Sequence, residues 1–108
     1  MDYYRIDISE PAEDDLRDIL RYISSQLLAP ETALELLETI DDAIQTLSLM
    51  PHRIPLVEDE RLALLGYRIL PVRNFLVFFS INETGKKKVV DVERVLYYRR
   101  DWKNLLSV

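Results

Sequence analysis

The second half of the chain carries most of the residue types that could act on a phosphate. Arginine presents a planar fork of N–H donors that matches a phosphate group, and tyrosine can stack on a nucleobase or protonate a leaving oxygen. Together they predict metal-free cleavage of an RNA phosphodiester, in which a 2′-hydroxyl attacks the adjacent phosphorus. The residues concerned are Arg68, Arg73, Arg94, Arg99, Arg100 and Lys103, with Tyr67, Tyr97, Tyr98 and Trp102.

A general base for this reaction is harder to find. Glu93 and His52 are the two candidates, and His52 is the only histidine, in a proline-rich segment. The alternative interpretation is structural, because Arg68 and Glu93 would form a cross-strand ion pair if they lie in one row of a sheet. The absence of cysteine argues against a zinc site, and two isolated glycines supply no phosphate-cradling loop. We therefore expect no cofactor and no metal.

The charge is divided unevenly along the chain. Residues 1–50 hold 12 acidic and 3 basic side chains, whereas residues 51–108 hold 7 acidic and 11 basic ones. The net charge of −5 argues against nucleic-acid binding, but the division points to the second half for any anion chemistry. The 108 residues predict one domain, with no signal peptide and no membrane span, and so a cytoplasmic protein.

Apolar periodicity predicts two helices in the acidic half. A strand over Tyr4–Ser9 is followed by apolar residues at helical spacing from about Glu10 to Leu27. A second helix begins at Pro30 and closes at Met50. Because only two or three residues separate the helices, we expect them to pack as an antiparallel hairpin.

The basic half is predicted to be mostly strand, after a loop over Pro51–Arg61. The middle strand is apolar on both faces, as in a central strand covered on both sides. The order β-α-α-β-β-β predicts an α+β domain over residues 1–108, with a helical hairpin on one face of a mainly antiparallel four-stranded sheet and a short C-terminal helix. The predicted elements are strands over Tyr67–Val72, Phe75–Ile81 and Val89–Tyr97 and a helix over Asp101–Leu106.

Tight turns between these strands would decide which side chains share a face. A turn between Glu83 and Lys86, and another around Val72 and Arg73, predict one common face. This face would bring together Arg68, Leu70, Leu76, Phe78, Ser80, Asp91, Glu93 and Tyr97.

Three segments of the chain resemble toxins of the RelE/ParE superfamily: Tyr4–Ile23, Tyr67–Phe79 and Val92–Trp102. The likeness spans nearly the full length and keeps the predicted order of elements. It implies the toxin of a type II toxin–antitoxin pair, neutralised by a cognate antitoxin protein. One branch of the superfamily cleaves mRNA on the ribosome, and another inhibits DNA gyrase without being a nuclease. Cleavage of mRNA is the first hypothesis, gyrase inhibition the alternative, and a degenerate interaction module the third.

The cleaving branch supplies the site prediction. It carries basic residues on the first strand after the helices, as Arg68 does, and an arginine at the entry of the next strand. Phe75 stands at that second place here, and Arg73 could substitute for it. The residues that the resemblance proposes for catalysis are Arg68, Arg73, Tyr97, Tyr98 and Arg99.

The resemblance also implies the partners. They are the antitoxin, then the ribosome with its mRNA or, alternatively, DNA gyrase, and no membrane. Antitoxin docking is expected on the Pro51–Leu65 loop or on the outer sides of the helical hairpin. A homodimer of the free toxin remains open.

Overall fold

The computed structural model describes residues 3–99 and 106. Along the chain, two long helices follow the first strand and precede the other three strands. Short helical turns follow each of the long helices. The elements are β1 (Arg5–Ile8), α1 (Glu10–Arg21), a π-helical turn (Tyr22–Gln26), α2 (Pro30–Gln45), two 3₁₀ turns (Thr46–Ser48 and Pro51–Arg53), α3 (Glu60–Leu64), β2 (Arg68–Val72), β3 (Phe75–Asn82) and β4 (Val89–Tyr97).

The four strands form one mixed sheet in the order β1-β4-β3-β2. β1 runs parallel to β4, whereas the β2–β3 and β3–β4 pairs are antiparallel. The predicted α+β fold, with a helical hairpin on a mainly antiparallel sheet, is confirmed. β3 is an inner strand, and one of its faces packs in the main core through Val77 and Phe79 while the other packs in a second cluster through Leu76 and Phe78, which explains why its sequence is apolar on both faces.

The junction between β1 and α1 is tied to β4. The Ser9 side chain caps α1 by accepting a hydrogen bond from the Ala12 N–H at 3.1 Å, and its hydroxyl donates to the Glu93 carbonyl at 2.8 Å. The Ser9 N–H donates to the Val92 carbonyl at 2.9 Å. These bonds start α1 directly beside the second half of β4, where β1 has ended.

The helical segments differ from the prediction in two places. The single helix expected to reach Leu27 changes at Tyr22 into a π turn, and Leu28 then takes a positive φ of 51° before Pro30 opens α2. The segment expected to be a loop contains α3, which Asp59 caps by accepting from the Leu62 N–H at 3.1 Å. A helix of five residues is too short to leave a periodic stripe in the sequence.

Two hydrophobic clusters cover the two faces of the sheet. The main core lies under α1 and α2 and includes Ile40, Ile44, Val77 and Phe79. The smaller cluster lies on the outer face. It is formed by Leu62, Phe78, Leu96 and Leu106. The predicted C-terminal helix over residues 101–106 falls outside the described residues except for Leu106, which is buried.

The common face predicted for the site residues is wrong for Arg68, Leu70 and Tyr97. The other predicted members do share the outer face of the sheet: Leu76, Phe78, Ser80, Asp91 and Glu93. β2 pairs Arg68 with Phe79, so Arg68 lies on the helix-facing side of the sheet, away from the face of Phe78. A bulge between Phe78 and Phe79 shifts the β3–β4 register, so that Tyr97 lies opposite Phe75 on the helix-facing side. One added residue at a bulge reverses the facing of every residue beyond it.

Candidate functional site

A groove of about 990 Å³ opens where the helical hairpin passes over one end of the sheet. Its helical wall comes from α1, the π turn and α2. Its other wall comes from the turn between β2 and β3 and from the end of β4. The groove is thus built by elements from both halves of the sequence, which meet because α1 begins beside β4.

Asp15 fixes the helical wall to the sheet. Its carboxylate accepts hydrogen bonds from Arg94 Nε at 2.7 Å, from Arg94 Nη2 at 2.9 Å and from the Val95 N–H at 2.9 Å. Only 12% of the Asp15 side chain and 25% of the Arg94 side chain are exposed, so water screens the pair little. The hydrogen bonding to Asp15 raises the pKa of Arg94 above its ordinary value, so the guanidinium stays charged.

An aromatic row runs along the rim of the groove. The rings of Phe75 and Tyr97 meet edge to face with centroids 5.7 Å apart, and those of Tyr97 and Tyr98 are 5.2 Å apart. Arg99 lies over the Tyr98 ring at 5.3 Å, and its Nε donates to the Tyr98 hydroxyl at 2.7 Å. Since Tyr97 and Tyr98 are 38% and 43% exposed, the row is accessible from solvent.

Arg73 joins this rim from the tight turn between β2 and β3. The turn has two residues, and Arg73 adopts a positive φ of 55° in it. Such turns need a left-handed residue to match the twist of the strands, and glycine or asparagine fills that place at lower cost. The Asn74 carbonyl accepts from the Tyr98 N–H at 2.9 Å, which holds the turn against the end of β4.

Arg68 lies apart from the other four predicted site residues. It stands at the opposite end of β2, four residues before Val72 and so about 13 Å from the turn. Its guanidinium donates to the Ile54 carbonyl, and its backbone forms an isolated bridge with Leu56. The structure therefore brings Arg73, Tyr97, Tyr98 and Arg99 together and leaves Arg68 out.

The lining of the groove holds three carboxylates and one guanidinium, but Arg94 pairs with Asp15 and Arg21 lies 3.6 Å from Asp18. Asp15, Asp18 and Glu35 line it from the helices, and Arg73 lines it from the sheet. The remaining lining is largely apolar, with Ile19, Tyr22, Ile23, Leu27 and Leu36 on the helical wall. An apolar groove edged by carboxylates suits an apolar segment that carries positive charge.

Comparison with known families identifies the chain. The model of the ParE toxin of type II toxin–antitoxin systems, parDE, matches residues 6–102. The chain belongs to this family. The predicted membership of the RelE/ParE superfamily is confirmed, and with it the role of toxin in a type II toxin–antitoxin system.

Solved structures support the same fold for this ParE-family toxin. The chromosomal ParDE system from P. aeruginosa is 21% identical with a TM-score of 0.70, covering 88% of this chain and 96% of that one. The RelBE2 toxin–antitoxin complex from Mycobacterium tuberculosis is 18% identical with a TM-score of 0.58, covering 88% and 98%. The YoeB/ParE toxin from Agrobacterium tumefaciens is 11% identical with a TM-score of 0.57, covering 86% and 97%. No curated protein matches the chain.

Neither predicted general base of the ParE-family toxin lies at the groove. Glu93 sits on the outer face, where the Ser80 hydroxyl lies 3.4 Å from its carboxylate. Burial and the neighbouring Asp91 raise the pKa of Glu93, and burial also raises the pKa of Tyr67. His52 Nε2 lies 2.8 Å from a Glu83 carboxylate oxygen, at the far end of β3. The aromatic row thus has neither of these groups beside it.

The groove residues on the helices were missed by the sequence reasoning. Glu13, Asp14 and Asp15 suit the N-terminal dipole of a helix equally well, so nothing in their order separates Asp15. The available signal was its position: Asp15 falls three residues after Ala12 and four before Ile19, inside the apolar stripe. A charged residue in such a stripe needs a partner when it is buried, and here the partner is Arg94.

The described residues contain neither a cluster of metal ligands nor a helix that could cross a membrane. No group of three or more His, Cys, Asp or Glu side chains within residues 3–99 is arranged to hold a metal ion. In the same part of the chain, no helix has the length and apolar character needed to cross a membrane.

Proposed function

We propose that this ParE-family toxin arrests growth by binding a protein, with DNA gyrase as the first candidate, and not by cutting mRNA. The observation that carries the proposal is the lining of the groove, which is apolar and holds more carboxylates than cations. The family branch that inhibits gyrase without nuclease activity is the one that such a surface fits.

The lining disfavours an RNA ligand. A phosphate entering the groove would meet Glu35, and the Arg21 and Arg94 guanidinium groups are already paired with Asp18 and Asp15. Two like charges about 4 Å apart repel by about 4 kcal/mol near a protein surface. Arg73 on the other wall balances Glu35, so the groove offers a phosphate no net attraction, whereas a lysine or arginine of a protein partner would be attracted by Glu35.

The separation of Arg68 from the rim also disfavours cleavage of RNA. Its guanidinium is engaged with the Ile54 carbonyl, about 13 Å along β2 from Arg73. Arginines that stabilise a charged transition state must lie beside the reacting phosphate. We infer from this separation that Arg68 does not share one phosphate with Arg73.

We also propose that the cognate antitoxin binds in this groove. Tyr22 and Leu27 on its helical wall are each 57% exposed, and the adjoining Leu28 is 82% exposed. A contiguous apolar surface of this kind marks an interaction site, and Asp18 and Glu35 favour a segment with basic residues among its apolar anchors. An antitoxin seated there neutralises the toxin by covering the surface that the target needs.

Cleavage of mRNA remains the second candidate. The observation that favours it is the rim itself, where Tyr97, Tyr98 and Arg99 are in contact beside Arg73. Stacking aromatics and a nearby guanidinium are the groups that bind single-stranded RNA.

Two matched variants on α2 separate the candidates. Glu35 lines the groove, whereas Glu38 is exposed one turn further along and does not line it. We expect Glu35→Lys to lower inhibition of purified gyrase in a supercoiling assay by at least about 10-fold, equal to about 1.4 kcal/mol, and Glu38→Lys to leave it unchanged. When the proteins are induced without antitoxin, we expect the wild type and Glu38→Lys to arrest growth and to accumulate DNA breaks. We expect Glu35→Lys to do so more weakly.

The opposite result is equally clear. If induction of the wild-type toxin produces new mRNA 5′ ends while supercoiling by gyrase stays normal, the protein-binding proposal is wrong. In that case Glu35→Lys should leave cleavage intact or increase it, and Arg99→Gln should abolish it.

A further inference from the structure

The helical hairpin ends in a segment with three exposed apolar side chains. We call residues 22–29 the hairpin tip, which contains the π turn and leads to Pro30, where α2 begins. Tyr22 and Leu27 are more than half exposed, and Leu28 is 82% exposed. None of these three side chains packs in either hydrophobic cluster of the sheet. Their apolar surface therefore adds little to the stability of the fold and is available to a partner.

The backbone at Leu28 is strained. Its φ is 51°, in the left-handed region that leucine seldom adopts. A left-handed residue is common where a helix ends, but glycine takes this conformation at lower cost because it has no Cβ. Two backbone hydrogen bonds hold the conformation: the Leu27 N–H donates to the Tyr22 carbonyl at 3.3 Å, and the Ala29 N–H donates to the Ile23 carbonyl at 3.1 Å. The exposed side chain of Leu28 is therefore presented from ordered backbone.

Strain and exposure together set Leu28 apart from other exposed leucines. An exposed leucine is common on protein surfaces and by itself indicates no function. Leu64, for example, is 88% exposed, but it lies in α3 and its φ is not positive. At Leu28 neither the backbone conformation nor the position of the side chain favours folding. Residues of this kind are concentrated at functional sites, where the strained conformation holds a side chain ready for a ligand.

The charges near the hairpin tip favour a protein over a phosphate. From residue 22 to residue 51 the sequence contains no lysine or arginine. The guanidinium of Arg21, directly before the tip, lies 3.6 Å from Asp18. Glu31 is exposed in the first turn of α2, three residues after Leu28. A nucleic-acid backbone or an anionic lipid surface therefore meets no basic side chain in this segment, whereas a protein pocket bordered by basic residues is complementary to it.

The position of Leu28 relative to the groove indicates which protein it contacts. Tyr22 and Leu27 line the groove, but Leu28 does not. A segment of the antitoxin in the groove would therefore contact the first two side chains without enclosing Leu28. A side chain that projects from the end of a hairpin is buried only by a partner with a concave pocket, and a folded target protein supplies one that is already formed.

We propose that Leu28 is the anchor by which this toxin binds its target, inserting into an apolar pocket bordered by lysine or arginine. The pocket belongs to the protein target of the proposed function, on which this assignment rests, with DNA gyrase as the first candidate. Because the backbone holds Leu28 in place before contact, little conformational freedom is lost on binding. Burial of one leucine side chain then strengthens binding by roughly 10- to 100-fold.

The test replaces Leu28 by asparagine, which tolerates a left-handed backbone but has a polar side chain. Leu64→Asn is the matched control, because it makes the same change at a similarly exposed leucine on α3. The purified full-length variants are assayed for inhibition of DNA supercoiling by purified gyrase and for binding to immobilised gyrase. We expect Leu28→Asn to raise the concentration for half inhibition and the Kd by at least about 10-fold, and Leu64→Asn to leave both unchanged.

A glycine variant separates contact with the target from a role in folding. Leu28→Gly suits the φ of 51° and removes the side chain, so its Tm should be no lower than that of the wild type. Its inhibition of gyrase should nevertheless fall as far as that of Leu28→Asn. A lower Tm with unchanged inhibition would show that Leu28 serves the fold, and the proposal would then be wrong.

Growth arrest after induction without antitoxin measures toxicity whatever the target is. If the wild type does not inhibit gyrase but Leu28→Asn arrests growth more weakly than Leu64→Asn, only the assignment of gyrase fails. If Leu28→Asn arrests growth and inhibits gyrase as strongly as the wild type, the role of Leu28 is wrong while the proposed function stands. Loss of antitoxin binding by Leu28→Asn with full toxicity would assign this residue to the antitoxin and also overturn the proposal.

Discussion

Replacing Asp15 by asparagine should destabilise the fold more than any other single change of one carboxylate to an amide on α1. The carboxylate accepts three hydrogen bonds, two from Arg94 and one from the Val95 N–H. An asparagine side chain of the same shape keeps one acceptor oxygen but turns an NH₂ group toward donors. At least one donor then has no acceptor, and the Arg94 guanidinium loses its counter-charge.

The size of the effect follows from burial. Breaking a fully buried ion pair by removing one partner costs about 3–5 kcal/mol, and losing a hydrogen bond to a charged group costs about 1.5–3 kcal/mol. Because Arg94 is 25% exposed, its charge can be partly rehydrated. We therefore expect a loss of about 2–4 kcal/mol in the free energy of unfolding, or about 8–16 °C in Tm at roughly 4 °C per kcal/mol for a chain of this length.

The assay is urea unfolding followed by far-UV circular dichroism, with Asp14→Asn as the matched control. Asp14 is the neighbouring acid and pairs with Arg17, but about 60% of its side chain is exposed. Its loss should cost no more than about 0.5 kcal/mol. A double-mutant cycle with Arg94→Met should give a coupling energy of about 2 kcal/mol. Equal stability of the Asp15 and Asp14 variants, or a coupling near zero, would refute the reasoning.

Two further predictions concern Glu93 and Arg73. The raised pKa of Glu93 means that the folded state binds its proton more tightly, so ionised Glu93 opposes folding as pH rises above its ordinary value near 4.5. Glu93→Gln should therefore raise Tm at pH 7–8 with a gain that disappears toward pH 4; a constant gain across this range would contradict it. Arg73→Gly should relieve the positive φ of 55° and stabilise the fold by about 0.5–1 kcal/mol, whereas a lower Tm would show that the turn is unstrained.

Much of the fold could be predicted because the elements that matter are long and regularly patterned. α2 has a stripe of apolar residues over four turns, and β3 is apolar over nearly its whole length. The π turn after Arg21 and the short helix α3 could not be predicted in this way. Both are set by contacts within one or two turns, such as the bond from the Leu27 N–H to the Tyr22 carbonyl, and leave no periodic signal.

The candidate site was predicted less well than the fold. The side of the sheet on which a side chain lies changes when a turn or a bulge gains or loses a single residue. The β2–β3 turn has two residues and the β3–β4 pair contains a bulge, and each shifts the facing of a strand by one position. Arg68 and Tyr97 consequently lie on the helix-facing side and not beside Phe78. This error did not affect the expectation that Tyr97, Tyr98 and Arg99 lie together. These residues are consecutive, so they stay close to one another in either register.

The division of charge between the two halves of the sequence does not carry over to the fold of this toxin. The groove end receives Asp15, Asp18 and Glu35 from the acidic helices. Because Arg94 pairs with Asp15, the charge of this arginine is not available to a ligand. The basic half therefore does not make its own end of the groove positive. We therefore expect a partner with basic residues to be favoured at the groove over a nucleic-acid backbone.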